Sequence, residues 1–427
     1  MDILDNYVIQ KILKSFYPKY KEKHKQPLRV IKAIESQMNC RTREQGYSIY
    51  RCPNDSSIKE LYHSCRCRAC SICNKEKQNQ WLDRQKGILL NCEHFHLVFT
   101  LPSEYHALWL FNRKWFINTH FRVVSETLKA LLDEPTSSKD TTKKYLKATT
   151  GFISVLHTWG RQLNLHPHIH CVITAGGLTK EGEWKNCEND FLVPIRVLKA
   201  LYRGKFQAYI KDFIQGEAIV FPDNEDKRSL MALHRKVYKK EWSVNIQSKY
   251  SHANGVMNYL SRYLGGSPIK AQQFIKANHK EIVFHYKDHR ENKIKVLSLL
   301  PDEFLRRYLI HQPEIGVHYV RYYGLYASQS KKKRSSCVEI LGLTKEQKIM
   351  EEKKHLKADH KTTHELYCQV CGTEMLLCAV SFRTPEIENS INKVTRRKSA
   401  FAESLIIVQQ DAQPDLLTQR RSVELIL

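Results

Sequence analysis

Six cysteines fall between Cys40 and Cys73 and three more between Cys368 and Cys378, out of thirteen in the chain. These clusters constrain the fold more than any other feature, because thiols so close in sequence either cross-link or hold a metal. The start, Met1-Asp2-Ile3-Leu4-Asp5-Asn6, lacks the basic and apolar regions of a signal peptide, and no run of 18 apolar residues occurs. The expectation is a cytoplasmic protein with no membrane span, where disulfides are disfavoured and metal sites are favoured. Cys52, Cys65, Cys70 and Cys73 form the expected ligand set. Cys70-x2-Cys73 can turn two thiolates toward one ion, and Cys52 and Cys65 lie one loop away. Zn(II) suits four soft tetrahedral donors. Cys40 and Cys67 are spare donors. Asp55 stands where a second Cys would complete a Cys-x2-Cys pair with Cys52; it could ligate, with Cys65 the preferred fourth donor. Cys368-x2-Cys371 with Cys378 is a candidate second zinc knuckle, with His364 to complete four ligands, unless Cys378 is simply buried behind Leu376 and Leu377.

The chain has 427 residues, too many for one compact domain. Hydrophobic residues make up 42% and charged ones 26%, which excludes wholesale disorder. Lys and Arg number 69 against 44 acidic residues, a net charge of +25, and nucleic acid is the default partner for such a surplus. Ribosomal and membrane-surface proteins share that charge, so it does not decide alone. Arg41, Arg43, Arg51, Arg66 and Arg68 surround the cysteines, and guanidinium groups on a metal-stapled loop suit phosphate.

Apolar spacing and breakers divide the chain into three parts: 1–92, helical then cysteine-rich; 93–330, a domain of mixed helices and strands; and 331–427, a basic linker, a cysteine module and a tail. Two short helices are expected before residue 38, broken at Pro18 and Pro27. Strands are expected at 94–101, 168–175, 242–248, 282–286 and 293–299. Helices are expected at 104–132, 143–157, 194–215, 228–240, 252–264 and 302–311. The fold class is therefore α+β.

Within Leu165-His166-Pro167-His168-Ile169-His170-Cys171, residues two apart in a strand face the same way. His168 and His170 then project together, about 7 Å apart along the strand, and can share one divalent ion. A histidine pair alone is weak evidence in a chain with 20 histidines. Tyr259 and Tyr263 are four apart on an expected helix and share a face; Val256, Leu260 and Leu264 make the same stripe readable as core. Combined, the elements make chemistry: a tyrosine attacks a DNA phosphodiester that a metal polarises.

His166 to Gly177 together with Tyr259-Leu260-Ser261-Arg262-Tyr263 resembles the rolling-circle, two-tyrosine HUH-endonuclease transposases of the insertion sequence 91 family. Ser64-Cys65-Arg66-x-Arg68-x-Cys70-x2-Cys73 resembles that family's zinc-binding domain, and His96 to Pro102 its first catalytic strand. Glu303 to Arg307 and Arg321-Tyr322-Tyr323-Gly324-Leu325 resemble later segments, so the likeness covers roughly residues 30–330 in order. It implies an HUH-type antiparallel sheet with flanking helices and a small N-terminal zinc module. It implies metal ligands at His168 and His170 for Mg(II) or Mn(II), nucleophiles at Tyr259 and Tyr263, and structural zinc on Cys52, Cys65, Cys70 and Cys73. It leaves the third catalytic ligand open, with His252, Asn254 and Asn258 as nearby candidates.

The implied partner is single-stranded DNA at element ends and targets, met in the cytoplasm at the nucleoid, with no membrane and an unassigned oligomeric state. Arg66, Arg68, Arg262 and Arg321 are the candidate DNA contacts. Tyr319, Tyr322, Tyr323 and Tyr326 either stack on bases or pack a strand. The expected activity is nicking and rejoining of single-stranded DNA through a 5′-phosphotyrosine. The rivals are a replication initiator or relaxase with the same chemistry, and a zinc-dependent DNA-binding regulator without nuclease activity.

Overall fold

The computed structural model describes residues 7–135, 143–189, 191–250, 267–288, 291–345, 347–350, 366–382 and 407–408. In chain order the helices are α1 (Val8–Lys23), α2 (Leu28–Met38), α3 (Asn74–Lys86), α4 (His106–Phe111), α5 (Arg113–Leu132), α6 (Ile195–Gln215), α7 (Lys227–Tyr238), α8 (Pro301–Leu309) and α9 (Lys331–Leu341). The strands are β1 (Gly46–Arg51), β2 (Ile58–Tyr62), β3 (His94–Thr100), β4 (Gly151–Trp159), β5 (Leu165–Thr174), β6 (Gly176–Leu178), β7 (Trp184–Asn186), β8 (Val244–Tyr250), β9 (Phe274–Ala277), β10 (Ile282–Asp288), β11 (Lys293–Leu299), β12 (Val320–Gly324), β13 (Leu376–Phe382) and β14 (Ile407–Val408). Two compact units result: Lys75–Leu356, and Asp2–Asn74 together with Lys357–Leu427. The sequence suggested cuts near 92 and 330; the structure places the segment around residue 370 in the N-terminal unit instead.

The larger unit is built on a five-stranded antiparallel sheet in the order β12-β4-β5-β3-β8. Its fold class is the expected α+β. Phe99, Leu97, Ile169, Cys171, Phe152 and Leu156 pack one sheet face against Phe116, Phe121 and Leu128 of α5 and Tyr202, Phe206 and Ile210 of α6. In α6, Leu198, Tyr202, Phe206 and Ile210 recur every fourth residue, the stripe a helix needs to lie on a sheet. Ile153, Val155 and Val172 occupy the opposite face and pack against Leu89, Leu90, Leu325, Tyr326 and Cys337.

Residues 143–157, expected as a helix, end in the strand β4. Eight of its nine residues are buried because both sheet faces are covered. That double burial removes the alternation that marks a half-exposed strand and leaves a run readable as helix. Lys331–Arg334, expected to open a linker, instead starts α9, anchored by buried Cys337 and by Arg334 Nη1 donating to the Leu325 carbonyl (3.1 Å). A second sheet, β11-β10-β9, joins α8 through Phe274, Phe284, Phe304 and Tyr308.

The smaller unit pairs the α1–α2 hairpin with a sheet in the order β14-β13-β1-β2. Pro18 lies inside α1 and does not break it. An interior proline costs about 3 kcal/mol. Buried Val8, Ile9, Ile12 and Leu13 before it, and Tyr17 and Tyr20 around it, fix the helix on both sides and outweigh that cost. Pro27 does mark a boundary, as the N-cap of α2.

Candidate metal centres

Antiparallel register puts His157 of β4 opposite His168 of β5, and directly opposed residues share a face. His170 lies two residues on, so three imidazoles converge, with one ring nitrogen from each within 4.8 Å of the others. His157 is a candidate third donor that the sequence did not single out; the residues it offered for the open third ligand, His252, Asn254 and Asn258, lie outside the described residues. The signal that could have found it is the strand β4, since a histidine on the neighbouring strand is the nearest donor to an HxH pair.

The hydrogen bonds around the cluster assign its tautomers. His168 Nδ1–H donates to its neighbour's carbonyl, His166 O, at 2.6 Å. Gln247 Oε1 can only accept, so His96 Nδ1–H donates to it at 2.7 Å. His96 Nε2 is then an acceptor and takes the proton of His170 Nδ1 at 3.0 Å. The Nε2 atoms of His168 and His170 are therefore both acceptors, and they stand 3.0 Å apart. Two lone pairs at that distance repel unless a cation or a proton lies between them. The donor set fits a divalent ion, with His166 and the His96–Gln247 pair orienting the ligands.

Electrostatics act in the same direction. Burial pushes His168 down to about 3, helped by nearby His166. Burial also holds His170 well below its ordinary value, with His157 the next cause. His96 is lowered by burial, against the opposing pull of Gln247. The rings are neutral near pH 7, the state in which imidazole ligates. Tyr259, Arg262 and Tyr263 lie outside the described residues, in the segment that follows β8.

The cysteines regroup. Cys40, not Cys52, joins Cys65, Cys70 and Cys73, with the four sulfurs within 4.8 Å of one another. The end of α2 delivers Cys40: its amide donates to Gln37 O (3.3 Å), and Gln10 Nε2 of α1 donates to its carbonyl (2.9 Å). Cys65 N–H donates to Cys40 Sγ at 3.4 Å. Cys65 and Cys73 sulfurs are 3.6 Å apart, and the Cys73 thiol is held well below its ordinary value by hydrogen bonds from Cys40, Cys65 and Cys70. Cys67 stands beside the set and accepts from Gln37 Nε2 at 3.5 Å. Cys52 lies at the far end of β1, where it groups with Asp55, Cys368 and Cys371. Cys378 is exposed and belongs to neither group, and His364 lies outside the described residues.

Arg66 is exposed, on a left-handed backbone (φ 54°), while Arg68 is half-buried and its carbonyl accepts from Asn74 Nδ2. The guanidinium of Arg321 lies 4.4 Å over the Phe121 ring and reaches Asn118 Oδ1. The four tyrosines near it pack. Tyr326 is 2% exposed and bonds His94 (2.7 Å), Tyr323 stacks on Phe152, Tyr322 accepts from Trp81, and Tyr319 is buried.

The family model described as "Transposase zinc-binding domain" matches residues 12–101, and the one described as "Putative transposase" matches residues 151–334. The protein described as "Putative transposase y4qJ" of Sinorhizobium fredii is 32% identical over 323 residues, covering 74% of this chain and 78% of that protein. The chain belongs to the insertion sequence 91 family of transposases. The transposase for insertion sequence element IS801 of Pseudomonas savastanoi pv. phaseolicola is 28% identical over 313 residues, covering 70% of each chain. Among solved structures, the conjugative relaxase TrwC bound to oriT DNA aligns over 58% of this chain and 72% of its own, at 14% identity and a TM-score of 0.23. In this transposase the zinc-binding match spans Cys40 to Cys73, and the second match runs from the first residue of β4 into α9, so His157, His168 and His170 all lie within it. No described helix of the transposase is long and apolar enough to cross a membrane.

Proposed function

We propose that this transposase nicks and rejoins one DNA strand at the ends of its element through a 5′-phosphotyrosine. The observation that carries this is the pair of facing acceptor nitrogens on His168 and His170, with His157 beside them. Mg(II) or Mn(II) held there would polarise the scissile phosphate. The chain's own residues then have simple roles. His96 and Gln247 fix the His170 tautomer, and His166 fixes that of His168. Tyr259 or Tyr263 supplies the attacking phenol oxygen: its bond to phosphorus forms as the bond to the 3′-oxygen breaks, the phenol proton is lost to base, and the free 3′-hydroxyl gains one. The phosphotyrosine keeps the energy of the broken bond for rejoining. The second tyrosine, one turn away on the expected helix, holds or cuts a second strand.

Purified protein incubated with single-stranded element-end oligonucleotides and Mn(II) tests this. A covalent protein–DNA adduct is expected, lost in Tyr259→Phe/Tyr263→Phe and in His168→Ala. An adduct that survives the double tyrosine replacement, or no adduct with any end sequence, overturns the proposal; the second result leaves a zinc-stapled DNA binder.

A further inference from the structure

We propose that Cys52, Asp55, Cys368 and Cys371 form a second zinc site, of three sulfurs and one oxygen, that joins the two ends of the chain's smaller unit. The two halves of the site are 313 to 319 positions apart in sequence, yet they are the same loop built twice. In the first loop the Cys52 amide donates to Ser57 O (2.8 Å) and the Ser56 amide donates back to Cys52 O (3.1 Å). In the second the Cys368 amide donates to Thr373 O (2.8 Å) and the Gly372 amide donates back to Cys368 O (3.0 Å). The fifth residue of each is left-handed, Ser56 at φ 60° and Gly372 at φ 72°. Each loop is closed by a β pair at the same offset, Arg51 with Ile58 and Tyr367 with Glu374. Asp55 therefore occupies the position in one loop that Cys371 occupies in the other.

The loops face each other with donor atoms at metal-site spacing. Cys52 Sγ is 3.4 Å from Cys371 Sγ, and Cys368 Sγ is 3.1 Å from Asp55 Oδ2. Tetrahedral zinc with bonds of about 2.3 Å to sulfur sets its sulfurs about 3.8 Å apart, and a shorter bond to oxygen tightens the sulfur–oxygen edge. Asp55 is oriented for this: the Ser57 amide holds Oδ1 (2.9 Å), which turns Oδ2 to the sulfurs. Asn54 Nδ2 donates across the gap to Thr373 Oγ1 (2.7 Å), and β1 pairs with β13 directly behind the loops. Three thiolates with one carboxylate are a zinc set, and the Val370 amide donating to Cys368 Sγ (3.4 Å) supports the thiolate there.

Cobalt substitution of the full-length protein tests the site without reference to DNA cleavage. Thiolate-to-cobalt charge transfer scales with the number of Co–S bonds, and histidine ligands do not contribute to it. Four sulfurs from Cys40, Cys65, Cys70 and Cys73 and three from this site give seven bonds per chain. Cys368→Ser/Cys371→Ser lowers the band toward five and Asp55→Cys raises it toward eight, the gain being readable even where the serine variant folds poorly. A wild-type band worth four bonds, a band unmoved by Asp55→Cys, or a Cys52–Cys371 disulfide in the protein purified under reducing conditions overturns the proposal.

Discussion

His157 and His168 face each other across neighbouring strands, with ring centroids 5.3 Å apart and planes 84° from parallel. The perpendicular setting lets each ring aim an edge nitrogen at a common point. Replacing His157 with Ala should weaken Mn(II) binding at least 10-fold while leaving the far-ultraviolet circular dichroism unchanged. His96→Ala, which removes only the partner that orients His170, should cost about 10- to 100-fold in affinity or nicking. Isothermal titration separates the two. Wild-type affinity in His157→Ala would remove it from the ligand set.

Acid should destabilise the metal-free protein through the same cluster. In the unfolded chain a histidine takes its proton near pH 6.5, whereas folded His168 does so only near 3. The unfolded state therefore binds more protons between those values, and stability falls as pH drops below about 6.5, reaching its full loss only below the folded value. Thermal melts in chelator from pH 7.5 to 4 should show a falling midpoint, and His168→Asn should flatten the slope. Equal slopes in both proteins would place the acid sensitivity elsewhere.

Cys40 and Cys52 should behave as ligands of different ions. Zinc loss in Cys40→Ser should match that in Cys70→Ser, and the Cys40→Ser/Cys70→Ser pair should lose no more than either alone, because one site empties once. Cys52→Ser combined with Cys40→Ser should lose more. Metal content by mass spectrometry of the dialysed proteins decides it; a Cys40→Ser protein with full zinc content would return Cys52 to the first set.

Gly324 closes β12 against β4 in a left-handed conformation (φ 57°), where a Cβ would meet the Thr150 carbonyl oxygen at 1.7 Å. Neither atom can yield, since one is strand backbone and the other is held by the sheet. Gly324→Ala should lower unfolding free energy by more than about 2 kcal/mol in urea titration. A loss below 0.5 kcal/mol, roughly the noise of a surface change, would mean that the edge strand shifts freely.

What the sequence revealed depended on periodicity. β3, β5, α6, α7 and α8 carry clean spacing and lie near their expected places. The HxH pair was legible because strand alternation alone puts His168 and His170 on one face. His157 was hidden by the burial of β4 on both faces, which erased the alternation. Local spacing favoured Cys52 over Cys40, since nothing near Cys52 announces that β1 pairs with a strand beyond residue 370. The tyrosines around Arg321 were ambiguous by composition, and only the packing of β12 against β4 decides that Tyr319 and Tyr326 are buried and that Tyr322 and Tyr323 are half-buried against the core.

The pairing of β1 with β13 also orders events in time. A ribosome releases residues 46–51 more than 300 residues before their partner at 376–382. At elongation rates of about 5–20 residues per second the β1 edge waits some tens of seconds. The larger unit can fold during that interval, while the smaller unit gains its last strand only near the end of synthesis. A chain cut short by a late frameshift would then carry a finished histidine site beside a sheet whose exposed edge invites aggregation and proteolysis.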